Sequence, residues 1–194
     1  MLERTVPDAL HFTGEPEADA LLARDPLALL IGFALDQQVP VPTAFSGPWK
    51  LEQRLGRLDA RELAELDAER LEAAFREKPA VHRFPGSMAR RVQELAAAIV
   101  EDYDGDAGRV WRDAVDTDDL RGRIAALPGF GEMKIKALAS VLSRRFGLAL
   151  AEPLVPSHDD RPIPTLGDVD SPEALAAYQA AKRAYKAELR AAKA

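Results

Sequence analysis

Apolar residues along this chain return every three or four positions, and no stretch alternates strictly between apolar and polar. That period lines one side of a helix, whereas a half-buried strand needs a period of two, so the chain is expected to fold as an all-α domain. With 194 residues, 47% of them hydrophobic, it can bury one sizeable core, and its 14 prolines and 12 glycines are scattered rather than repeated. Disordered and collagen-like polymers are thereby excluded.

Capping residues and prolines divide the pattern into helices. Asp25-Pro26 joins a capping carboxylate to a proline whose missing N–H costs nothing in a first turn, and predicts a helix over 26–38. Pro40 and Pro42 should interrupt it, a second helix should cover 45–55 and either begin near Trp49 or bend at Gly47-Pro48, and Asp59 and Asp67 cap two short amphipathic helices. Phe84-Pro85-Gly86-Ser87 reads as a turn ending in an N-cap serine before a long helix over 88–100, and a brief helix holds Trp111. Helices over 117–126 and 132–146 follow, joined by Leu127-Pro128-Gly129-Phe130-Gly131, too short for anything but a tight hairpin. The expected organisation is a helical core over 1–147, a proline-rich connection over 148–170 with no core of its own, and a basic helix over 171–194 packed back on the core.

The absence of cysteine removes disulfides, thiol nucleophiles, cysteine-held zinc and iron–sulfur clusters. The three histidines, His11, His82 and His158, show no metal-ligand spacing, so no metal site is expected; His82 beside Arg83 is placed to touch a phosphate. The apolar run 27–35 falls short of the ~20 residues a membrane helix needs, and no basic leader precedes it. A cytoplasmic monomer with no membrane contact is expected.

A net charge of -6 argues against a nucleic-acid partner, but the charge is uneven. From 78 to 93 the chain carries Lys78, Arg83, Arg90 and Arg91 with no acid, and from 172 onward Lys182, Arg183, Lys186, Arg190 and Lys193 face only Glu173 and Glu188. The hairpin adds a way to bind an anion without net positive charge. Its glycines let the backbone approach a ligand closely, so the amides of Gly129, Phe130, Gly131 and the following helix start can point at a phosphate, with Lys134 and Lys136 within reach. A phosphate-bearing ligand fits such a loop.

Leu127-Pro128-Gly129-Phe130-Gly131 followed by Glu-Met-Lys-Ile-Lys-Ala resembles the helix–hairpin–helix of the HhH-GPD superfamily of base-excision DNA glycosylases. Leu35-Asp36-Gln37-Gln38-Val39-Pro40 is similar to the Gln-Gln segment that family carries early in its fold, and Phe84-Pro85-Gly86-Ser87-Met88-Ala89-Arg90-Arg91 to its glycine-then-basic helix start. The three stand in family order over roughly residues 25 to 147. The resemblance implies a helix–hairpin–helix glycosylase-like fold, a wedge role for Gln37 or Gln38 in filling the space of a flipped base, and further DNA contacts from Arg83, Ser87 and Arg90. It implies double-stranded DNA as the partner and no cofactor beyond a monovalent cation at the hairpin.

Two departures shape the expected chemistry. Bifunctional members carry a lysine two residues after the second hairpin glycine; here that residue is Met133, with Lys134 about 100° further round the helix, so a monofunctional enzyme using water is expected. The family's catalytic aspartate follows that glycine by about twenty residues, where it stabilises positive charge on the sugar, but here the count reaches Ala151. Asp159 and Asp160 are candidates after a small insertion, Asp36 is a candidate beside the wedge, and Asp168 reads as a turn cap. The alternatives are a non-catalytic hairpin module that has lost the aspartate, and a helical protein-interaction domain.

Overall fold

The computed structural model describes residues 6–159 and 162–192, and the candidate Asp160 lies outside them. Among the described residues the secondary structure is helical throughout: α1 (Pro16–Arg24), α2 (Pro26–Leu35), α3 (Val41–Phe45), α4 (Gly47–Leu55), α5 (Ala60–Glu65), α6 (Ala68–Arg76), α7 (Pro85–Tyr103), α8 (Arg109–Arg112), α9 (Thr117–Ala126), α10 (Glu132–Arg144) and α11 (Pro172–Ala191). Among the described residues no helix is long and apolar enough to cross a membrane.

The core is built round α2. Every residue from Leu27 to Leu35 is buried, which a helix tolerates only when neighbours cover all its sides. α1, α3, α4 and α7 supply that cover. Phe45 meets Phe33 edge-on at 5.0 Å and Phe12 at 5.2 Å, tying the segment before α1 and the end of α3 to the same cluster. Asp25 caps α2 as expected, accepting from the amides of Leu27 and Ala28. The helix α1 has no capping cue in its sequence; it is anchored by buried Asp19, which accepts from the amides of Phe12 and Thr13.

Three expectations are corrected. α2 ends at Leu35 rather than 38, because the chain turns out through Gln38 in a left-handed conformation (φ 57°). Pro40 and Pro42 start a helix instead of only interrupting one, Pro40 as its N-cap and Pro42 in its first turn, where no N–H is needed. Ser87 is not the N-cap of α7: Phe84 holds that position, Pro85 opens the helix, and the Ser87 hydroxyl donates back to the Phe84 carbonyl.

The connection is corrected as well. Two short 3-10 turns, Ala149–Leu154 and Leu166–Asp168, pack along α10, and Ala151, Leu166 and Val169 join the core. Gly167 makes the closest approach, its amide donating to the Ser140 hydroxyl at 3.0 Å. A Cβ there would stand 2.1 Å from the Ser140 carbonyl oxygen, a contact that backbone cannot yield to cheaply. Gly167→Ala is therefore expected to destabilise the fold by about 2–3 kcal/mol, measured by urea unfolding with an unchanged m value.

Candidate nucleic-acid interface

The hairpin between α9 and α10 is built in two parts. Leu127 to Phe130 forms a turn in which the Phe130 amide donates to the Leu127 carbonyl at 3.1 Å, with proline second and Gly129 third at φ +82°. That is the make-up of a type II turn, so Pro128 and Gly129 are accounted for by the local backbone alone. Gly131 is different. It is the N-cap of α10 in an extended conformation any residue adopts, and a Cβ on it would meet nothing within 4 Å. Nothing among the described residues calls for a glycine there.

Among the described residues, no acceptor takes the amides of Gly129, Gly131, Glu132 or Met133, while those of Lys134 and Ile135 already bond the Gly131 carbonyl. The α10 N-terminus thus presents unpaired N–H groups beside the open side of Gly131, an arrangement suited to an anion. Glu132 in this first turn is held by Arg121. Phe130 plays no part in the exposed set: its amide is used by the turn and its ring is 4% exposed, packed against Phe33 at 6.5 Å.

Lys134 also turns inward. Its ammonium donates to the Ala34 carbonyl at the end of α2 (3.3 Å) and lies over the Phe130 ring, and burial, with Arg91 nearby, pushes its pKa down. The phosphate contact expected of Lys134 is corrected accordingly, whereas Lys136 is exposed. Arg91, for which the sequence gives no cue that sets it apart from Arg90, packs its guanidinium across Gly129.

Phe33–Phe130 and Lys134–Ala34 bring the hairpin alongside the Gln-Gln turn. There Gln37 and Gln38 are both exposed, and Gln38 is held in its left-handed conformation. The turn is fixed from behind by His82, 2% exposed, whose Nδ1 accepts from the Phe84 amide and whose Nε2 therefore donates to the Gln37 carbonyl at 3.1 Å. The ring is neutral, its pKa lowered by burial. A phosphate contact from His82 is ruled out by this position. The same link sets the exposed start of α7 beside the turn: Arg83 stacks over Phe84, which is 42% exposed, and Ser87 and Arg90 face solvent.

A cleft of about 730 Å³ opens between this turn and α11, lined by Asp36 and Gln38 on one wall and Tyr178, Lys182, Arg183 and Lys186 on the other. Asp36 is the C-cap of α2, where the helix dipole opposes a negative charge. Burial raises its pKa, and the ammonium groups of Lys182, Lys134 and Lys186 act against that rise. The other described candidates are elsewhere. Asp168 forms a reciprocal cap with Thr165 and pairs with Arg144, Glu152 accepts from Ser143, and exposed Asp159 takes no part in lining the cleft.

The family description "HhH-GPD superfamily base excision DNA repair protein" matches residues 31–191. The chain belongs to this superfamily. No curated protein and no solved structure matches the chain. The matched span takes in the Gln-Gln turn, the hairpin, the connection and nearly all of α11. As a base excision DNA repair protein it has DNA as its partner.

In this HhH-GPD protein the position of the family lysine is filled by Met133, 71% exposed, on an apolar crevice shared with Tyr178, Tyr185 and Leu189. The count that should reach the catalytic aspartate ends on buried Ala151. The carbonyls of Pro128 and Gly129 take no backbone donor among the described residues.

Gly131→Val is expected to leave circular dichroism and Tm unchanged and to lower duplex affinity at least 10-fold by titration, because the space it fills lies outside the protein. For His82, a folded-state pKa below its unfolded value means that the native protein binds fewer protons than the unfolded chain. Its stability contribution is therefore complete above the unfolded pKa of about 6.5 and is lost as pH falls from there toward the lowered folded pKa. Urea unfolding between pH 7.5 and 5 should show this loss in the wild type and a smaller one in His82→Gln.

Proposed function

We propose that this repair protein is a monofunctional DNA glycosylase that hydrolyses the N-glycosidic bond of a damaged or mispaired base rotated out of duplex DNA. The observation that supports it is Asp36: among the described residues it is the candidate carboxylate that lines the cleft, next to a glutamine on the turn beside the hairpin. Asp36 stands in for the acid at the family's usual position.

In this reading the amides of Gly129, Gly131 and the α10 start hold one strand by its phosphates, with Lys136, Arg91 and, at the α7 start, Arg83, Ser87 and Arg90 adding contacts. A cation, when present, would be held by the Pro128 and Gly129 carbonyls and would add positive charge beside that phosphate. Gln37 or Gln38 enters the stack as the base leaves, replacing broken hydrogen bonds and offsetting part of a flipping cost of a few kcal/mol. The sugar then lies against Asp36. As the C1′–N bond breaks, its electron pair passes to the base; positive charge grows on the sugar, the Asp36 carboxylate stabilises it and takes a proton from water, and the water oxygen bonds to C1′. A raised pKa makes Asp36 a better base than an ordinary surface carboxylate and shifts the acid limb of activity upward in pH.

The second reading, a non-catalytic binding module, is favoured by buried Ala151 at the counted position. Duplexes carrying uracil, thymine opposite guanine, alkylated or oxidised bases decide between them. After alkali treatment, at least one should be cut, Asp36→Asn should lower that rate by about 10²–10³-fold with abasic-analogue binding retained, and borohydride should trap no protein–DNA adduct. Binding without cleavage of any duplex selects the module, and a trapped adduct overturns the monofunctional assignment.

A further inference from the structure

Lys182 and Lys186 ease the cost of charge on Asp36, but the basic end of the chain takes no part in the grip of the hairpin. α11 is anchored by Leu175 and Tyr178 near its start, and beyond them its residues are largely exposed. Its first basic turn nevertheless faces the Gln-Gln turn across the cleft. Lys182 and Lys186 are four residues apart, about 6 Å along the axis and on one face, with Arg183 beside them. The Lys182 ammonium sits 5.5 Å from the centre of the Tyr178 ring, which steadies it at the cleft wall.

These cations differ from most of the surface arginines. Arg57, Arg61, Arg109, Arg112, Arg121 and Arg123 each hold a carboxylate within ion-pair distance. Among the described residues none of Lys182, Arg183 and Lys186 does, and the single acid lining their cleft is Asp36. A protein of net charge -6 therefore keeps three unneutralised cations round one cleft, with a glutamine of the wedge turn at its mouth. Lys134, which would have served the hairpin side, is committed to the Ala34 carbonyl.

We propose that Lys182, Arg183 and Lys186 form a phosphate-binding wall that holds the DNA strand on either side of the extruded nucleotide, opposite the hairpin. The wall rests on the reading of this protein as one that flips a base out of DNA, and deepens it. The hairpin amides grip the strand without regard to whether a base has left the stack. The α11 wall meets it only where the nucleotide enters the cleft, so it adds affinity selectively for a flipped or missing base. An acidic protein segment would satisfy the same charges, and the test separates the two.

The experiment compares full-length wild type with K182Q/R183Q/K186Q, binding to an intact duplex and to one containing a tetrahydrofuran abasic analogue over a range of salt. Circular dichroism and Tm check the fold, and K182R/K186R keeps the charge. On the abasic duplex the triple variant should bind about 10–100-fold more weakly at 150 mM salt, with the slope of log K against log salt reduced by about 2–3, near 0.9 for each phosphate no longer neutralised. On the intact duplex the weakening should be several-fold smaller, and the arginine variant should bind as wild type. Equal weakening on both duplexes would overturn the link to the extruded nucleotide, and unchanged affinity and slope would overturn the wall while leaving the DNA reading intact. If wild type itself binds neither duplex, that reading falls and the wall with it.

Discussion

The contact between Phe130 and Phe33 is the one on which the interface depends. Phe130 is the apolar residue between two hairpin glycines, and by entering the core against α2 it fixes the distance between the anion-binding amides and the Gln-Gln turn. Lys134 adds a polar tie one turn along, donating to a carbonyl that the end of α2 would otherwise leave to water. In the proposed function, a phosphate held at the hairpin thus has a defined spacing to the glutamine turn. Loosening either tie would leave both elements present and their spacing undefined.

Charge is arranged locally in the same way. The chain is acidic, yet many of its arginines are neutralised by nearby carboxylates, several of them within one helix, and such exposed pairs add little to stability. Their effect is to leave the outward field to the cations that lack partners. Those at the α7 start and on α11 border the glutamine turn and its cleft, while the hairpin contributes dipoles instead of charges. An overall excess of acid is compatible with DNA binding when the binding face is assembled in this way, since the field at contact range is set by nearby groups and more distant ones are screened.

Asp36 sits where several unfavourable terms meet: the negative end of a helix, partial burial, and no hydrogen-bond donor to its carboxylate among the described residues. A residue placed for stability alone would avoid all three. The three lysines round it reduce the penalty, and two of them, Lys182 and Lys186, belong to the wall across the cleft. The acid and the cations that steady it are therefore part of one site, assembled from α2, α10 and α11.

Most of the helices were legible because their cues are local: Asp25, Asp59 and Asp67 cap the helices they precede, and α9 and α11 start where the sequence says. The helix α1 opens on Pro16 without a capping side chain, and the core-forming residues of the connection, Ala151, Leu166 and Val169, show no period, so neither is marked as clearly by local pattern. The sequence by itself determined that the chain is helical, that a hairpin bends at residues 127–131, and that a glutamine pair follows an apolar helix, since each is decided by neighbours a few residues apart. Only the tertiary structure decided that Phe130 and Lys134 point inward, that His82 braces the turn, that Asp36 and not Asp168 meets the cleft, and that α11 closes it. Those outcomes depend on which distant surfaces touch, and a linear spacing carries no record of that.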